Sequence, residues 1–269
     1  MFKFFKYLYF GLALTIFLGA CSNSYQKVLN SADNEYKFEM AKSYYNNSDY
    51  FKALPIFEEL LNVHKGTEKA EKIYFYYAYC HYGQSDYLIA AYHFKNFAIT
   101  YPSSKYAEES QYLFAYCHYL MSPKASLDQT NTHKAIEAFK LFVTLFPKSE
   151  KIPECNAYID ELRIVLQQKD FEAAKLYLKL EYYEAAKLSF ENLLIDYPDF
   201  RNKEEASFLA IKSYYLYALG SIQEKQKERF TFVKGMYQKF IGKYPSSAFT
   251  KDLKNINANC NRNLNKLNI

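Results

Sequence analysis

The chain has no tryptophan, and its 269 residues include only 7 glycines and 7 prolines. Half of the residues are apolar, so a chain this poor in turn formers must run mostly in regular structure with few tight turns. An excess of one charge is missing too. With 34 Lys and Arg against 29 Asp and Glu the formal charge is +5, and loss of Lys3 and Lys6 with an amino-terminal leader brings it to +3. A balance this near neutral predicts no nucleic-acid role. The five histidines, His64, His81, His93, His118 and His133, form no HExxH or other metal-ligand spacing. There is no glycine-rich phosphate loop and no Gly-x-Ser-x-Gly elbow. Neighbouring carboxylates such as Glu58-Glu59, Glu108-Glu109 and Glu204-Glu205 read as solvated helix faces rather than as an acid and base pair. No catalytic residue, metal or cofactor is expected.

What is present begins with the amino terminus. Lys3 and Lys6 precede an uncharged run from Tyr7 to Ala20 that ends in small residues, the order of a secretory signal peptide. The run is shorter than the roughly 20 residues of a membrane span. Leu18-Gly19-Ala20-Cys21 resembles the lipobox of bacterial lipoproteins, which implies cleavage after residue 20, acylation of Cys21 and attachment of a soluble domain by its acyl chains alone. Ser22-Asn23-Ser24 follows, with neither an aspartate at the next position nor an acidic cluster. By the same resemblance this implies the outer membrane and a domain facing the periplasm, with residues 21–29 as a short polar tether.

The remaining chain carries Ala, Leu, Lys and Glu at helical spacing and an internal repeat. A small residue is followed by Ala 12 later, Phe 4 later, an apolar residue 3 later and Pro 5 later in Ala78, Ala90, Phe94, Phe97 and Pro102, and again in Ala174, Ala186, Phe190, Leu193 and Pro198. Ala41, Ala53, Phe57 and Leu60 fit four steps, with Lys65 in place of the proline. The second half recurs in Ala135, Phe139, Phe142 and Pro147, after Ala115 and an insertion around Ser122 to Thr132. It recurs in degraded form in Val233, Tyr237, Phe240 and Pro245 after Ala210, Tyr214 and Tyr217. The spacing describes a helical hairpin in which Ala lets two helices approach, Phe fills the gap and Pro limits the next helix. Such hairpins bury their apolar faces only by stacking.

The pattern resembles the tetratricopeptide repeat. The fold expected is therefore all-α, an α-α right-handed superhelix of about five such hairpins in one domain over 30–269, with repeats near 34–67, 71–104, 108–149, 167–200 and 204–247. A closing helix over 248–269 is marked by Leu253, Ile256, Cys260, Leu264 and Leu267 at steps of three and four. The family's usual tryptophan is replaced by Tyr and Phe, which fill that volume.

Two features bear on function. The pentapeptide Ala-Tyr-Cys-His-Tyr stands at 78–82 and again at 115–119, 37 residues apart. Equivalent residues of neighbouring repeats lie about one helix spacing apart, roughly 8–10 Å, too far for a disulfide, so Cys80 and Cys117 are expected as buried free thiols. The second feature is the tyrosine content, 29 residues. On the first helix of three hairpins a stripe expected to be exposed, opposite the packing alanine, reads Phe38, Lys42 and Tyr45, then Phe75, Tyr79 and Tyr82, then Tyr112, Tyr116 and Tyr119. Either these rings pack between repeats or they line a peptide groove, where amphipathic rings give large area and their hydroxyls pair with peptide backbone.

A lipobox followed by five such repeats resembles the BamD family of outer-membrane assembly lipoproteins, formerly called YfiO. The phrases at 53–60, Ala-Leu-Pro-Ile-Phe-Glu-Glu-Leu, at 91–97, Ala-Tyr-His-Phe-Lys-Asn-Phe, and at 101–108, Tyr-Pro-Ser-Ser-Lys-Tyr-Ala-Glu, are similar to that family's repeats. The resemblance implies a non-enzymatic scaffold with two partners, a BamA-like barrel bound by the C-terminal repeats and unfolded outer-membrane β-barrel substrates bound by the N-terminal groove. The charged segment Gly220 to Phe230 is either a docking protrusion or a solvated helix extension. Three alternatives stand beside this reading. They are a generic periplasmic repeat adaptor, a SusD-type glycan binder, which needs a much larger non-repeat portion, and an enzyme, which needs a perturbed carboxylate pair in a pocket.

Overall fold

The computed structural model describes residues 24–267. The expected leader over 1–20, the expected anchor at Cys21 and the first residues of the expected tether lie outside the described residues. Among the described residues every regular element is a helix and no strand occurs. A short α1 (24–29) is followed by α2 (Asn34–Asn46), α3 (Tyr50–Val63), α4 (Glu68–Gly83), α5 (Tyr87–Thr100), α6 (Ala107–Leu120), α7 (Thr130–Leu145), α8 (Ile152–Lys179), α9 (Tyr183–Asp196), α10 (Lys203–Leu219), α11 (Gln223–Lys243) and α12 (Thr250–Leu267). The all-α class and the hairpin order are those the repeat predicts.

The residues that defined the repeat are the ones the fold buries. Ala41, Ala53, Ala78, Ala90, Ala115, Ala135, Ala174 and Ala186 are fully buried, and so are Phe57, Phe94, Phe139 and Phe190. Ala on both helices brings the backbones close, and the ring four residues later fills the space beside the contact.

Scarce glycine does not mean the hairpin turns lack the left-handed conformation. Ser48, Ser85 and Glu181 stand at φ of 59°, 64° and 64°, each directly after a first helix. The next amide reaches back across that turn, Asp49 N to Tyr44 O, Asp86 N to His81 O and Tyr182 N to Tyr177 O, each at 2.9 Å. This is the Schellman closure, which normally places glycine where these three residues stand. Glu181→Gly is expected to stabilise the fold by about 0.5–1 kcal/mol by removing the Cβ strain of that conformation. A urea midpoint that falls in this variant would contradict that account.

The described residues divide into two compact units. The first comprises the chain through Pro123 together with Thr130–Ile159. In it each helix from α2 to α7 packs on the next, and α2 also meets α4. The expected polar tether is different from Ser24 onward. Residues 24–29 form α1, Val28 is fully buried, Tyr25 and Leu29 pack on the first hairpin, and the Tyr25 hydroxyl donates to Lys52 O at 3.2 Å. Two apolar side chains in this polar segment find a hydrophobic site, and that burial fixes it.

The second unit comprises Lys124–Gln129 and the chain from Asp160 on. Phe171 and Ala174 of α8 pack with Ala186, Phe190 and Leu193 of α9 and with Ala206 and Ala210 of α10. Leu253, Ile256 and Cys260 of α12 close the core formed with α10 and α11, and Phe208 stacks on Phe249 at 4.5 Å and 7°. The segment Gly220 to Phe230 is the cap of α10 and the first turns of α11. There Arg229 and Lys187 both lie on the Tyr217 ring, at 4.1 and 4.7 Å.

A tyrosine-lined flank as candidate functional site

In the first unit, α2, α4 and α6 present the predicted stripe, but not opposite the packing alanine. Its positions lie three before, one after and four after that alanine. At about 100° per residue these fall roughly 60°, 100° and 40° from it. The stripe therefore flanks the contact face, and none of its nine residues is exposed. Phe75 and Tyr112, expected on an open surface, are buried, with 4 % and 7 % of their surface accessible. Phe75 stacks on Tyr106 at 4.5 Å, and Tyr112 packs against Phe142 at 5.9 Å, with the Lys151 ammonium 4.2 Å from its ring centre.

The remaining members are half-buried. Phe38 meets Phe57 edge-on at 6.3 Å, and Lys72 lies 5.5 Å from the Phe38 ring. Lys42 reaches Glu39 at 3.7 Å. Tyr45 meets Tyr79 edge-on at 5.5 Å, and Tyr79 meets Tyr82 in the same way at 5.5 Å. Tyr112, Tyr116 and Tyr119 stack in sequence at 5.7 and 5.6 Å. The structure thus brings the rings into two ladders. It also adds a residue that the repeat did not indicate. Tyr158, from the start of α8, lies 4.4 Å from Tyr119 and 5.4 Å from Tyr116, and its hydroxyl donates to Glu154 Oε1 at 2.8 Å. The signal that could have found it was the apolar spacing of Ile152, Cys155 and Tyr158 ahead of the fourth repeat.

A family profile described as "YfiO: Outer membrane lipoprotein" matches residues 30–231. The chain belongs to the YfiO outer membrane lipoprotein family. No curated protein sequence is significantly similar to it. Among solved structures, a yeast Sti1 TPR2AB domain in complex with pHSP90 aligns at 11 % identity and a TM-score of 0.37, over 82 % of this chain and 95 % of that one. The P58(IPK) TPR domain aligns at 11 % identity and 0.40, over 92 % and 67 %.

Burial keeps the tyrosine hydroxyls of this YfiO chain's flank uncharged, beside the ammonium groups of Lys42, Lys72 and Lys151. Burial raises Tyr45, Tyr79 and Tyr112, and pushes Tyr82 up to about 12. These phenols stay protonated and serve as hydroxyl donors, not as bases. The thiols are inert as well. Cys80, Cys117, Cys155 and Cys260 are free and buried, and burial pushes Cys80 and Cys117 up to about 12. Among the described residues no group of three His, Cys, Asp or Glu is placed to hold a metal, and no helix is long and apolar enough to cross a membrane.

The other flank of α4 holds a histidine pair. His81 stacks on His93 of α5 at 5.5 Å and 19°, Tyr77 meets both rings edge-on at 4.9 Å, and the Tyr74 hydroxyl lies 3.2 Å from His93 Nδ1. Burial lowers His81, against the opposing pull of Asp86 and Glu58. Burial and then His81 lower His93 to about 4. Both rings therefore hold a proton less readily than in the unfolded chain, which takes up protons near pH 6.5. The contribution of His93 to stability is full above that pH and is lost as pH falls toward 4, and His81 acts in the same direction. A lower urea midpoint at pH 5 than at pH 7, with the difference reduced in His93→Asn, is expected. Equal midpoints at the two pH values would show imidazoles that titrate freely.

Proposed function

We propose that this lipoprotein is a non-catalytic scaffold of the β-barrel assembly machinery. It is held on the outer membrane by acyl chains on Cys21, faces the periplasm, and binds a BamA-like barrel protein and unfolded barrel substrates. Membership of the YfiO family carries this reading, and the two tyrosine ladders support its substrate-binding half. Half-buried rings whose positions are already fixed by their neighbours lose little side-chain entropy on binding, and protonated hydroxyls suit the carbonyls of an extended aromatic segment. On this reading Phe38, Lys42, Tyr45, Tyr79, Tyr82, Tyr116 and Tyr119 contact the segment, with Phe75 and Tyr112 supporting them from the core.

The deciding experiment is affinity purification of the tagged lipoprotein from detergent-solubilised outer membrane, followed by mass spectrometry. Near-stoichiometric recovery of a BamA-like barrel is expected. Its absence, with other envelope proteins enriched, would reduce the function to a lipid-anchored repeat adaptor. The ladders have their own test. Tyr79→Ala combined with Tyr116→Ala is expected to weaken binding of a synthetic aromatic C-terminal barrel peptide by about tenfold or more, or ~1.4 kcal/mol, with helicity unchanged by circular dichroism. Unchanged affinity in a folded double variant would assign both rings to packing.

A further inference from the structure

The flank of α6 opposite its tyrosines carries a site that the preceding repeat shows how to fill. In α4 that flank holds Tyr74, Tyr77 and His81, and His93 of α5 is laid into it. The residues 37 further on in α6 are Gln111, Phe114 and His118. The register that pairs Ala90 with Ala135 sets Ala138 where His93 stands, and the register that pairs Ala53 with Ala90 sets Ala91 where Leu54 stands. Three of these side chains have become smaller, at 91, 111 and 138, and no imidazole comes from α7.

The result is a groove between α5 and α7 with α6 as its floor. One seat, about 420 Å³, lies over His118, Ala91 and Ala138. A second, about 340 Å³, lies over Gln111 between Ile99 and Leu145. Lys95, Phe114 and Leu141 line both. The walls are open apolar side chains, Leu88 at 66 % and Ile99 at 67 % exposure among them. The floor is not satisfied. Gln111 and His118 are each 6 % exposed, and Gln111 Nε2 and His118 Nδ1 are buried without a hydrogen-bond partner. His81 in the filled flank of α4 is likewise unpartnered at both ring nitrogens, so what sets the α6 flank apart is the open space over His118 and Gln111. The rim has also changed sign. Lys95 stands where Glu58 does one repeat earlier, and Lys134 joins it against the single acid Glu137.

We propose that this groove is a second docking site, distinct from the tyrosine ladders, and that its occupant is an amphipathic helix of a partner protein with a tyrosine anchor, an acidic residue one turn on and an aliphatic anchor two turns on. The ring fills the space over Ala138 and meets His118 edge-on, as Tyr74 meets His93, so that its hydroxyl reaches His118 Nδ1 as that of Tyr74 reaches His93 Nδ1. The two seats are set by Gln111 and His118, seven residues or about 10.5 Å apart along α6, which matches positions i and i+7 of a docked helix. Backbone carbonyls or polar side chains of that helix satisfy Gln111 Nε2, and Lys95, which lines both seats, meets the carboxylate between the anchors.

The test is a phage-displayed library of helical peptides randomised on one face, panned on the detergent-solubilised full-length lipoprotein. Recovered sequences are then synthesised and titrated by calorimetry. Enrichment of an aromatic residue, an acid one turn on and an aliphatic residue two turns on is expected. Affinity should fall at least tenfold in Ala138→His, which restores the ring of the preceding repeat, and in Lys95→Glu, an exposed change that tests the rim independently should Ala138→His fail to fold. No binders, binders without this pattern, or binders equally tight to both folded variants would overturn the proposal. So would a concentration-dependent dimer that Ala138→His dissociates, which would make a second copy of this chain the occupant.

Discussion

Phe75→Ala is expected to lower the unfolding free energy by about 3–5 kcal/mol, the range for removing a large aromatic ring from a packed core. Phe75 is 4 % exposed. Its ring stacks on Tyr106 at 4.5 Å and 17° and lies 5.9 Å from Phe97, 6.3 Å from Phe94 and 5.7 Å from Tyr79. Four aromatic neighbours from two helices and a loop cannot all follow a retreating backbone, so the space is left as a cavity. The shift is to be read from urea unfolding as a change in midpoint at constant slope. Tyr116→Ala, at a half-buried position of the same stripe, should cost clearly less. Equal losses would mean that the whole stripe is core and that no part of it is presented for binding. A loss below about 1 kcal/mol at Phe75 would contradict the packing described.

Gly83→Ala should cost about 1–3 kcal/mol, the usual penalty for forcing atoms into a filled site. Gly83 ends α4, and a Cβ built there would fall 2.3–2.6 Å from three atoms of the Tyr50 ring. Tyr50 opens α3 and is held from two sides. Its ring meets Tyr45 at 5.8 Å, and its carbonyl accepts from Gln84 Nε2 at 3.3 Å. Glycine is needed there for close approach between successive hairpins, not for backbone conformation, since its φ lies outside the left-handed range. The distinguishing measurement is the double variant. Gly83→Ala with Tyr50→Ala should cost less than the sum of the two single changes, because the collision is gone once the ring is removed. Strict additivity would place the penalty elsewhere.

Much of the fold was legible because the helical hairpin is a local device. The interval of 12 from the small residue to the next Ala, and of 4 from that Ala to Phe, places contacts within some twenty residues, and those alanines and phenylalanines are the ones found buried. The same locality made the closing helix readable from Leu253, Ile256 and Cys260. α8 was less legible. It runs unbroken from Ile152 to Lys179, and the fourth repeat accounts only for its latter part. The earlier part supplies Cys155 and Tyr158 to the first unit, a contribution that no repeat position signals. The exposed stripe was misread for a geometric reason. Steps of three and four from the packing alanine return to the alanine's own side of the helix, so Phe75 and Tyr112 became core.

The order of residues by itself determined the all-α class, the hairpin register, the buried free state of Cys80 and Cys117 and the nearly neutral charge, because each depends on composition or on spacing within one hairpin. It also carries Leu18-Gly19-Ala20-Cys21, the segment that resembles a lipobox. Only the tertiary structure decided which rings are core and which remain half-open, that α1 is docked and not a tether, and that the flank of α6 is left open where His93 fills that of α4. Those outcomes depend on what a neighbouring hairpin brings to a given face. A single alanine at position 138 has no meaning in the linear chain until stacking sets it over His118.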